Sequence, residues 1–539
     1  MSVAIVTIFV LGILLISFLT PVFQHYSMKK MATSALQPES LPYVQRSGID
    51  LTLNGALFRC VGVDKVDLLW NYLGTDTGGS TANATRALAD AANSSIPFFR
   101  IAATPYWPNS FSLWLQNASA YWSKFDQMVN ASANKGIRLI PEVMHNQWLF
   151  SDITKEPLSQ LFNSSSKTYS MLTNYTYQLV TRYRNSSVIL FWELANELNN
   201  LADLDFANYP NINIAPSLGT PASRTSLDNF STDQMIDFTR NFASFIKQLD
   251  PNHPITTGFS IPRLDAQHLR MKPEWSPGGG DYTSDTFSEF QQYLKDTNPD
   301  PIDFVSIHFY NNPGAVDDGN SRFGVQGQFT ADVLNYVKNA TDYIGKPLWI
   351  GEFADANPKI SVNPYANFTQ NVLLKVLRFS IPTSAIWDWE TTNSGLQNYT
   401  LRPGKTDFII AKIAETNHIL GCPLLSPVGF SVSLYTSPPR GAVTINGTAY
   451  ASGYWYRYQS GRATLTANPP AGYHFSSWNS TGGVTITNRE KDPTQVVITG
   501  PGTLTSYSTP KAPSPITPVM IFIVAVTTLG APILRRRRR

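Results

Sequence analysis

Between about residues 41 and 422, short runs of β-branched and aromatic residues alternate with longer amphipathic stretches. The short runs predict strands at 57–64, 97–104, 137–144, 188–195, 254–259, 303–310, 347–353 and 383–389. The amphipathic stretches predict helices near 85–95, 114–135, 157–184, 232–250, 283–297, 329–343, 365–379 and 405–420. Eight such units favour a (β/α)8 TIM barrel, because parallel strands need helical crossovers. A doubly wound open sheet is the alternative, but polar residues follow the strands around the whole set, as in a barrel.

The pattern changes after Cys422. Residues 423–508 contain alternating strand-like runs separated by Gly, Pro and Asn, which predict a small all-β sandwich domain. The prolines of 509–518 predict a stiff linker. Within the predicted sandwich, residues 461–488 resemble repeat modules common on microbial and archaeal surface proteins.

Both ends of the chain are apolar. The uncharged run from Val3 to Phe23 predicts a signal peptide or an N-terminal membrane segment within residues 1–35. A second apolar run ends at Leu534 and is followed by five arginines, so we expect residues 519–539 to form a transmembrane anchor with its arginine tail in the cytoplasm. This topology predicts that the body of the protein lies outside the cell, at the membrane surface or secreted.

The net charge of +3 depends on those five arginines, and without them it is −2. Because the remaining basic residues are balanced by acidic ones, the composition excludes a nucleic-acid-binding protein. Thirteen Asn-X-Ser/Thr triplets predict a glycoprotein, and an Asn- and Thr-rich composition is the other explanation. Two cysteines exclude a disulfide framework and a Cys metal cluster. No metal or cofactor is expected, and the oligomeric state stays open.

Two acidic motifs end the fourth and seventh predicted strands, namely Phe191-Trp-Glu-Leu-Ala-Asn-Glu197 and Trp349-Ile-Gly-Glu-Phe353. Strands four and seven lie on opposite sides of a barrel, so Glu197 and Glu352 would face each other across its mouth. Glycosidic cleavage needs one carboxylic acid to protonate the leaving oxygen and one carboxylate to attack the anomeric carbon or activate water. Asn196 would donate a hydrogen bond to the sugar 2-hydroxyl. The competing interpretation is a pair of solvated charges on the rim.

These motifs, with a set of polar partners at other strand ends, resemble glycoside hydrolase family 5 of clan A, the cellulase and β-mannanase family. The partners in chain order are Arg100, His145, Asn196, His308, Tyr310 and Trp387. The resemblance covers about 41–422 and implies that Glu197 is the acid/base and Glu352 the nucleophile. It further implies that Arg100 and Tyr310 keep the nucleophile ionised, that His145 and His308 contact the substrate or the acid/base, and that Trp387 is a sugar platform. Asp64 departs from the family, which usually has Asn near this position.

Other side chains have less specific roles. Trp107, Trp148 and Trp389 lie near strand ends, where a ring can stack on a sugar or pack in the core. Cys60 and Cys422 would form one disulfide across the bottom of the barrel if the Cα atoms approach within about 7 Å, and otherwise are unrelated thiols.

The leading functional hypothesis is an endo-acting β-1,4-glycanase that cleaves mannan, glucomannan or glucan by double displacement with retention. A carboxyl separation of about 5–5.5 Å implies retention, and about 6.5–9.5 Å implies inversion. Alternatives are an endoglucanase or exo-β-glycosidase, and a barrel that binds carbohydrate without catalysis. The low charge density and apolar ends resemble surface proteins of archaea, including those of hot, acidic habitats.

Overall fold

A small antiparallel sheet precedes the barrel. In the computed structural model, the described residues are 43–74, 79–104, 108–311, 332–355, 364–390, 400–424, 430–452, 454–458 and 461–511. The first strands are β1 (Gln45–Ser47), β2 (Asp50–Leu53) and β3 (Ala56–Leu57). Leu51 of β2 is buried in one apolar cluster with residues at the start of the barrel strands. This sheet was not among the predicted elements, because strands of two to four residues carry too short an alternation to detect.

Eight parallel strands follow and form the barrel. They are β4 (Cys60–Asp64), β5 (Phe98–Ala102), β6 (Arg138–Met144), β7 (Trp192–Ala195), β8 (Ile255–Thr256), β9 (Val305–Tyr310), β10 (Leu348–Ala354) and β11 (Thr383–Ile386). The ladder runs from β8 back to β4, then through β11 and β10 to β9. Between β8 and β9, the amide of Asp303 donates to Ile255 O (2.8 Å) and that of Ile261 donates to His308 O (3.0 Å). The barrel is therefore nearly closed, and the predicted TIM-barrel fold is confirmed.

Helices cover the outside of these strands or lie in the loops that follow them. They are α1 (Leu68–Leu73), α2 (Thr81–Asn93), α3 (Pro108–Gln116), α4 (Ala118–Lys135), α5 (Leu149–Thr154), α6 (Lys167–Tyr183), α7 (Thr232–Leu249), α8 (Ala266–Met271), α9 (Phe287–Thr297), α10 (Val333–Ile344), α11 (Pro364–Phe379) and α12 (Asp407–Leu420). Side-chain caps begin several of them; Ser231, for example, accepts from Gln234 N at the start of α7. The short helices α1, α5 and α8 lie in loops after strands and were not predicted.

The barrel strands are buried on both faces, with one exception at the end of β9. Outward-facing side chains such as Val61 and Ile101 pack against the helices in the main hydrophobic cluster. Inward-facing side chains near the strand starts, among them Phe98 and Trp349, pack inside the barrel in a second cluster. This double burial explains why the strands are continuous apolar runs in the sequence.

The C-terminal domain is all-β. Its strands are β12 (Phe430–Ser437), β13 (Ala442–Ile445), β14 (Thr448–Ala451), β15 (Tyr454–Tyr458), β16 (Gly461–Asn468), β17 (Tyr473–Ile486) and β18 (Thr494–Pro510). The strands are hydrogen-bonded in the order β14-β13-β16-β18-β12-β15, and β17 also pairs with β18. Because β18 pairs with β16 near its start and with β12 near its end, one continuous ladder replaces the two separate sheets expected of a sandwich.

This domain contacts the barrel and has its own core. Thirteen buried residues, including Leu434, Leu465 and Trp478, form a separate apolar cluster. The Nδ2 of Asn93, at the end of α2, lies 3.4 Å from the hydroxyl of Tyr450 in β14. Strand β18 continues to Pro510, two residues into the segment predicted as a linker.

Within the described ranges, no helix is long and apolar enough to cross a bilayer. The apolar segments predicted at 1–35 and 519–539 lie outside those ranges, as does most of the linker.

Candidate active site

The candidate site lies at the carboxyl ends of the barrel strands, and a bulge in β10 shapes it. The pairing of β10 with β9 shifts register between Ile350 and Glu352, which turns Glu352 toward the mouth. Only glycine fits between them, because a Cβ on Gly351 would lie 2.3 Å from Nε2 of His308. The close packing of strand and imidazole therefore fixes the position of Glu352 relative to His308.

Arg100, at the third position of β5, is the centre of the site. Its guanidinium is fully buried and meets four carboxyl groups and one amide. The contacts are Nε to Glu193 Oε1 (2.6 Å), one terminal nitrogen to Asp64 Oδ1 (3.1 Å) and Glu352 Oε1 (2.6 Å), and the other to Glu142 Oε1 (3.0 Å) and Asn196 Oδ1 (3.1 Å). All five N–H groups of the guanidinium have a partner in this arrangement. We call Arg100, Asp64, Glu142, Glu193 and Glu352 the Arg100 cluster.

Glu352 is held from both sides. Arg100 donates to its Oε1, and the hydroxyl of Tyr310 donates to its Oε2. Charged and phenolic donors stabilise the ionised form of a carboxyl group. Glu352 is buried and has the surroundings of a carboxylate.

Glu197 has different surroundings. Its backbone is left-handed (φ 50°), and its amide donates to Gly258 O at 2.8 Å. Its side chain is 23% exposed, with Oε1 3.0 Å from Nδ1 of His308 and Oε2 accepting from Nδ2 of Asn200 at 3.4 Å. Glycine is needed at 258, because a Cβ there would lie 2.1 Å from Ala195 O at a positive φ. The turn after β7 thus presents Glu197 to the open cleft.

The pKa values of Glu197 and His308 are shifted in opposite directions. Burial raises the pKa of Glu197 to about 7, against the charge of Arg100, and nearby Glu142 adds to the rise. Burial lowers the pKa of His308 to about 4, so this imidazole is neutral near pH 7. A carboxyl group that titrates near neutrality can hold and release a proton at physiological pH.

One carboxylate oxygen of Glu197, one of Glu352 and a ring nitrogen of His308 all lie within 4.8 Å of one another. The adjacent cleft is lined on the Glu197 side by His145, Asn146, Gln147, Asn196, Asn200, Leu201 and Asn213. The arrangement therefore places two carboxyl groups with unlike hydrogen-bond partners on two sides of one small opening.

Residues 62–393, which include the whole Arg100 cluster and Glu197, match the family model described as Cellulase (glycosyl hydrolase family 5). The chain belongs to glycosyl hydrolase family 5. In the C-terminal domain of this family 5 chain, residues 441–509 match the model of the Divergent InlB B-repeat domain.

Relatives of this family 5 chain include two mannanases. Mannan endo-1,4-beta-mannosidase F of Aspergillus fumigatus is 24% identical over 202 residues, which are 36% of this chain and 37% of that protein. Mannan endo-1,4-beta-mannosidase 2 of Arabidopsis thaliana is 23% identical over 265 residues, 44% of this chain and 52% of that protein. The chain thus spans about a third to a half of the length of these curated relatives. The crystal structure of the endo-1,4-beta-mannanase from Rhizomucor miehei shares the fold, with a TM-score of 0.50 and 16% identity over 70% of this chain and 99% of that one.

The structure brings most of the residues predicted from the family 5 motifs into one place. Arg100, Asn196, Glu197, His308, Tyr310 and Glu352 are joined by the contacts given above. His145 lies on the cleft wall, with Nδ1 2.7 Å from Glu142 Oε2. Trp387 follows β11, is partly exposed, and donates its amide to Phe353 O at 3.2 Å.

For Trp148 and Trp389 the sequence left two alternatives, stacking on a sugar or packing in the core, and the structure shows packing. Trp148 is fully buried, with the guanidinium carbon of Arg224 3.9 Å from its ring centroid. Trp389 is fully buried and packs against Phe99. Both rings are covered by protein, so neither can stack on a sugar. Trp107 lies outside the described residues.

Sequence reasoning missed how much charge surrounds Arg100. The sequence did not predict that Glu142 and Glu193 share one guanidinium with Asp64 and Glu352. Burial raises the pKa of Glu193 to about 7. Burial together with Glu352 raises the pKa of Asp64 well above its ordinary range, against Arg100. One feature of the sequence could have indicated this cluster. Its four carboxyl groups lie within or at the ends of predicted strands that contain few other charged residues.

At the opposite end of the barrel, Cys60 of β4 and Cys422 after α12 are joined in a disulfide, with Cα atoms 5.0 Å apart. The bond closes the chain over a separation of 362 residues.

Two groups of side chains in the described ranges have the spacing of metal ligands. The first is Glu197, His308 and Glu352, already discussed. The second is His268, Asp285 and Glu289, where Asp285 accepts from the amides of Gln267 and His268 and Glu289 caps α9. Local backbone contacts account for the carboxylates of the second group.

Proposed function

We propose that this protein is a retaining β-glycoside hydrolase that cleaves β-1,4-mannan within the chain. The observation that carries the proposal is the pair Glu197 and Glu352, whose carboxyl oxygens approach within 4.8 Å in unlike surroundings. Inverting enzymes need about 6.5–9.5 Å between their carboxyl groups to admit a water molecule. The short approach supports double displacement.

In the first step, ionised Glu352 attacks the anomeric carbon, while Glu197 gives its proton to the leaving glycosidic oxygen. The C–O bond to the leaving sugar breaks, and a glycosyl ester forms on Glu352. In the second step, Glu197 takes a proton from water, which attacks the same carbon and releases Glu352 as a carboxylate. Arg100 and Tyr310 stabilise the carboxylate before attack and after release.

Mannan is proposed as the substrate because the Aspergillus and Arabidopsis relatives carry the name mannan endo-1,4-beta-mannosidase. The description of the matching family model, Cellulase, favours a β-1,4-glucan instead. We further propose an extracellular location at the membrane surface. The exposed side chains of sequon asparagines such as Asn130, Asn163, Asn174 and Asn339 are compatible with glycosylation there.

The decisive test is hydrolysis of β-1,4-mannan, glucomannan and carboxymethylcellulose by the wild type and by Glu352→Gln. We expect the wild type to be most active on mannan, and Glu352→Gln to lose more than about 10⁴-fold in kcat while keeping its affinity for the polymer. The anomer first released, read by NMR, is expected to be β. Glu415→Gln, in the exposed pair with Lys412, is the matched control and should be fully active.

A separate experimental result would contradict each part of the proposal. Highest activity on carboxymethylcellulose replaces mannan with glucan as the substrate. Initial release of the α-anomer contradicts retention. A wild type that binds the polymers but hydrolyses none of them favours a carbohydrate-binding protein.

A further inference from the structure

Three exposed aromatic rings lie on two loops at the mouth of the barrel, on the side of Glu197. Tyr209 is in the loop after β7, and Trp275 and Tyr282 are in the loop after β8. Their exposed fractions are 41%, 38% and 53%. The exposed Leu264 and Met271 lie in the same second loop. Clustered apolar exposure of this kind marks a binding surface more often than single exposed residues do.

Glu274 connects the two loops and holds the tyrosines. Its Oε1 accepts from the hydroxyl of Tyr209 at 3.3 Å and from Nδ2 of Asn208 at 3.2 Å, and its Oε2 accepts from the amide of Asp205 at 2.7 Å. Burial and the nearby carboxyl group of Glu274 raise the pKa of Tyr282. Tyr209 is therefore hydrogen-bonded to this carboxyl group and Tyr282 lies near it, with both rings partly open to solvent.

The loop that carries Tyr209 also reaches the catalytic cleft. A turn in which Ile212 N donates to Tyr209 O leads directly to Asn213, which lines the cleft. Beneath the turn, Arg263 donates to Asn200 O at 3.3 Å, and the side chain of Asn200 donates to Glu197 Oε2. One path of contacts thus runs from the acid/base to the loop that carries Trp275 and Tyr282.

We propose that Tyr209, Trp275 and Tyr282 form a sugar-binding surface for the leaving-side residues of the polysaccharide. The faces of the rings suit the apolar faces of pyranose sugars, and Glu274 with the phenol hydroxyls suits sugar hydroxyls. The leaving side is assigned because Glu197 protonates the leaving oxygen and lies on the same side of the mouth. The inference rests on the proposed function and adds to it the residues that select a polymer over a short substrate.

The test compares the wild type with the double variant Trp275→Ala/Tyr282→Ala. The substrates are β-1,4-mannan and 4-nitrophenyl β-1,4-mannobioside, whose leaving group is a single phenol. We expect kcat/KM on mannan to fall about tenfold, mainly through KM, and that on the aryl glycoside to stay within about twofold. Tyr177→Ala, which removes a ring 52% exposed on the outer helix α6, is the control and should change neither value.

An unchanged kcat/KM on mannan overturns the inference. Equal losses on both substrates also overturn it, because they indicate a distorted catalytic loop and not a lost contact with the polymer. If the wild type hydrolyses neither substrate, the proposed function fails, and retardation in a gel containing β-1,4-mannan then decides the binding surface. Weaker retardation of the double variant supports the surface, and equal retardation overturns it.

Discussion

The two ends of the barrel interior are built from the same eight strands but in opposite ways. Near the strand starts, the interior is filled by buried apolar side chains, among them Phe98, Phe191, Phe304 and Trp349. Near the strand ends, it holds Arg100 and the carboxyl groups around it. Trp349 marks the boundary, because its ring packs below while its Nε1 donates to Glu193 Oε2 at 2.7 Å above.

The difference shows how the fold divides stability from chemistry. Apolar burial near the strand starts stabilises the folded state by roughly 25 cal/mol per Å². Buried carboxyl groups at the mouth cost free energy unless each is paired, and a single guanidinium is shared among four of them. Apolar packing near the strand starts therefore stabilises the fold enough for the strand ends to hold an excess of buried carboxyl groups.

Removal of the Arg100 guanidinium should have the largest effect of the changes considered, because it should reduce both stability and activity. In Arg100→Met, four carboxyl groups lose their shared cation, so we expect the free energy of unfolding at pH 7 to fall by about 3–5 kcal/mol and activity to be abolished. Urea unfolding measures the first effect. Near pH 4 the loss should be smaller, because the carboxyl groups can then be protonated.

The control for that variant is Arg182→Met, which breaks the half-exposed pair with Asp126. This substitution should lower the free energy of unfolding by less than about 1 kcal/mol. Similar losses in the two variants would contradict the view that the Arg100 cluster depends on one buried cation.

The second prediction tests how the end of the barrel where the strands start contributes to stability. The double variant Cys60→Ala/Cys422→Ala opens a loop of 362 residues and should lower the free energy of unfolding. The expected loss is about 2–5 kcal/mol. Activity at 25 °C should be unchanged, since the bond lies at the end of the barrel away from Glu197 and Glu352. A loss of activity in folded protein would show that the two ends are not independent.

The third prediction concerns pH. Because the pKa of Glu197 is raised from 4.5 to about 7, the group is protonated below that value and can act as an acid. We expect kcat/KM to fall about tenfold per pH unit well above the pKa. Stability should also decline as pH rises from 4.5 to about 7, because the unfolded chain ionises Glu197 while the folded chain keeps its proton.

Glu197→Gln separates these effects. Its stability should depend less on pH than that of the wild type, and Glu193 and Asp64, whose pKa values are also raised, should contribute to the remaining slope. A wild type whose kcat/KM stays constant from pH 6 to about pH 9 would contradict the role of Glu197 as the acid.

The barrel could be predicted from the sequence because its strands are buried on both faces and leave apolar runs such as 137–144 and 347–353. Helices that pack on those strands left an amphipathic period, as α7 did. The sequence did not predict the short sheet β1–β3 or the helices α1, α5 and α8. Their formation depends on tertiary contacts and not on a repeated pattern.

In the site, the pair Glu197 and Glu352 could be predicted because their motifs end strands whose positions in a barrel are known. The sequence could not predict which aromatic rings are exposed. Trp148 and Trp389 follow strands just as Trp387 does, yet Arg224 covers one and Phe99 packs on the other. Tyr209, Trp275 and Tyr282 belong to two loops that are joined by tertiary contacts such as those of Glu274, and no repeated pattern in the sequence indicates these contacts.

The dependence of the buried carboxyl groups on Arg100 has an evolutionary consequence. Substitution of Glu197, which is partly exposed, would remove the proposed acid without leaving an unpaired buried charge, so we expect a descendant released from selection for hydrolysis to lose it and still fold. We expect Arg100 to be lost less easily, because four buried carboxyl groups share its charge. Among relatives of this protein, an arginine at this position therefore reports a folded barrel, whereas the glutamates corresponding to Glu197 and Glu352 report an enzyme.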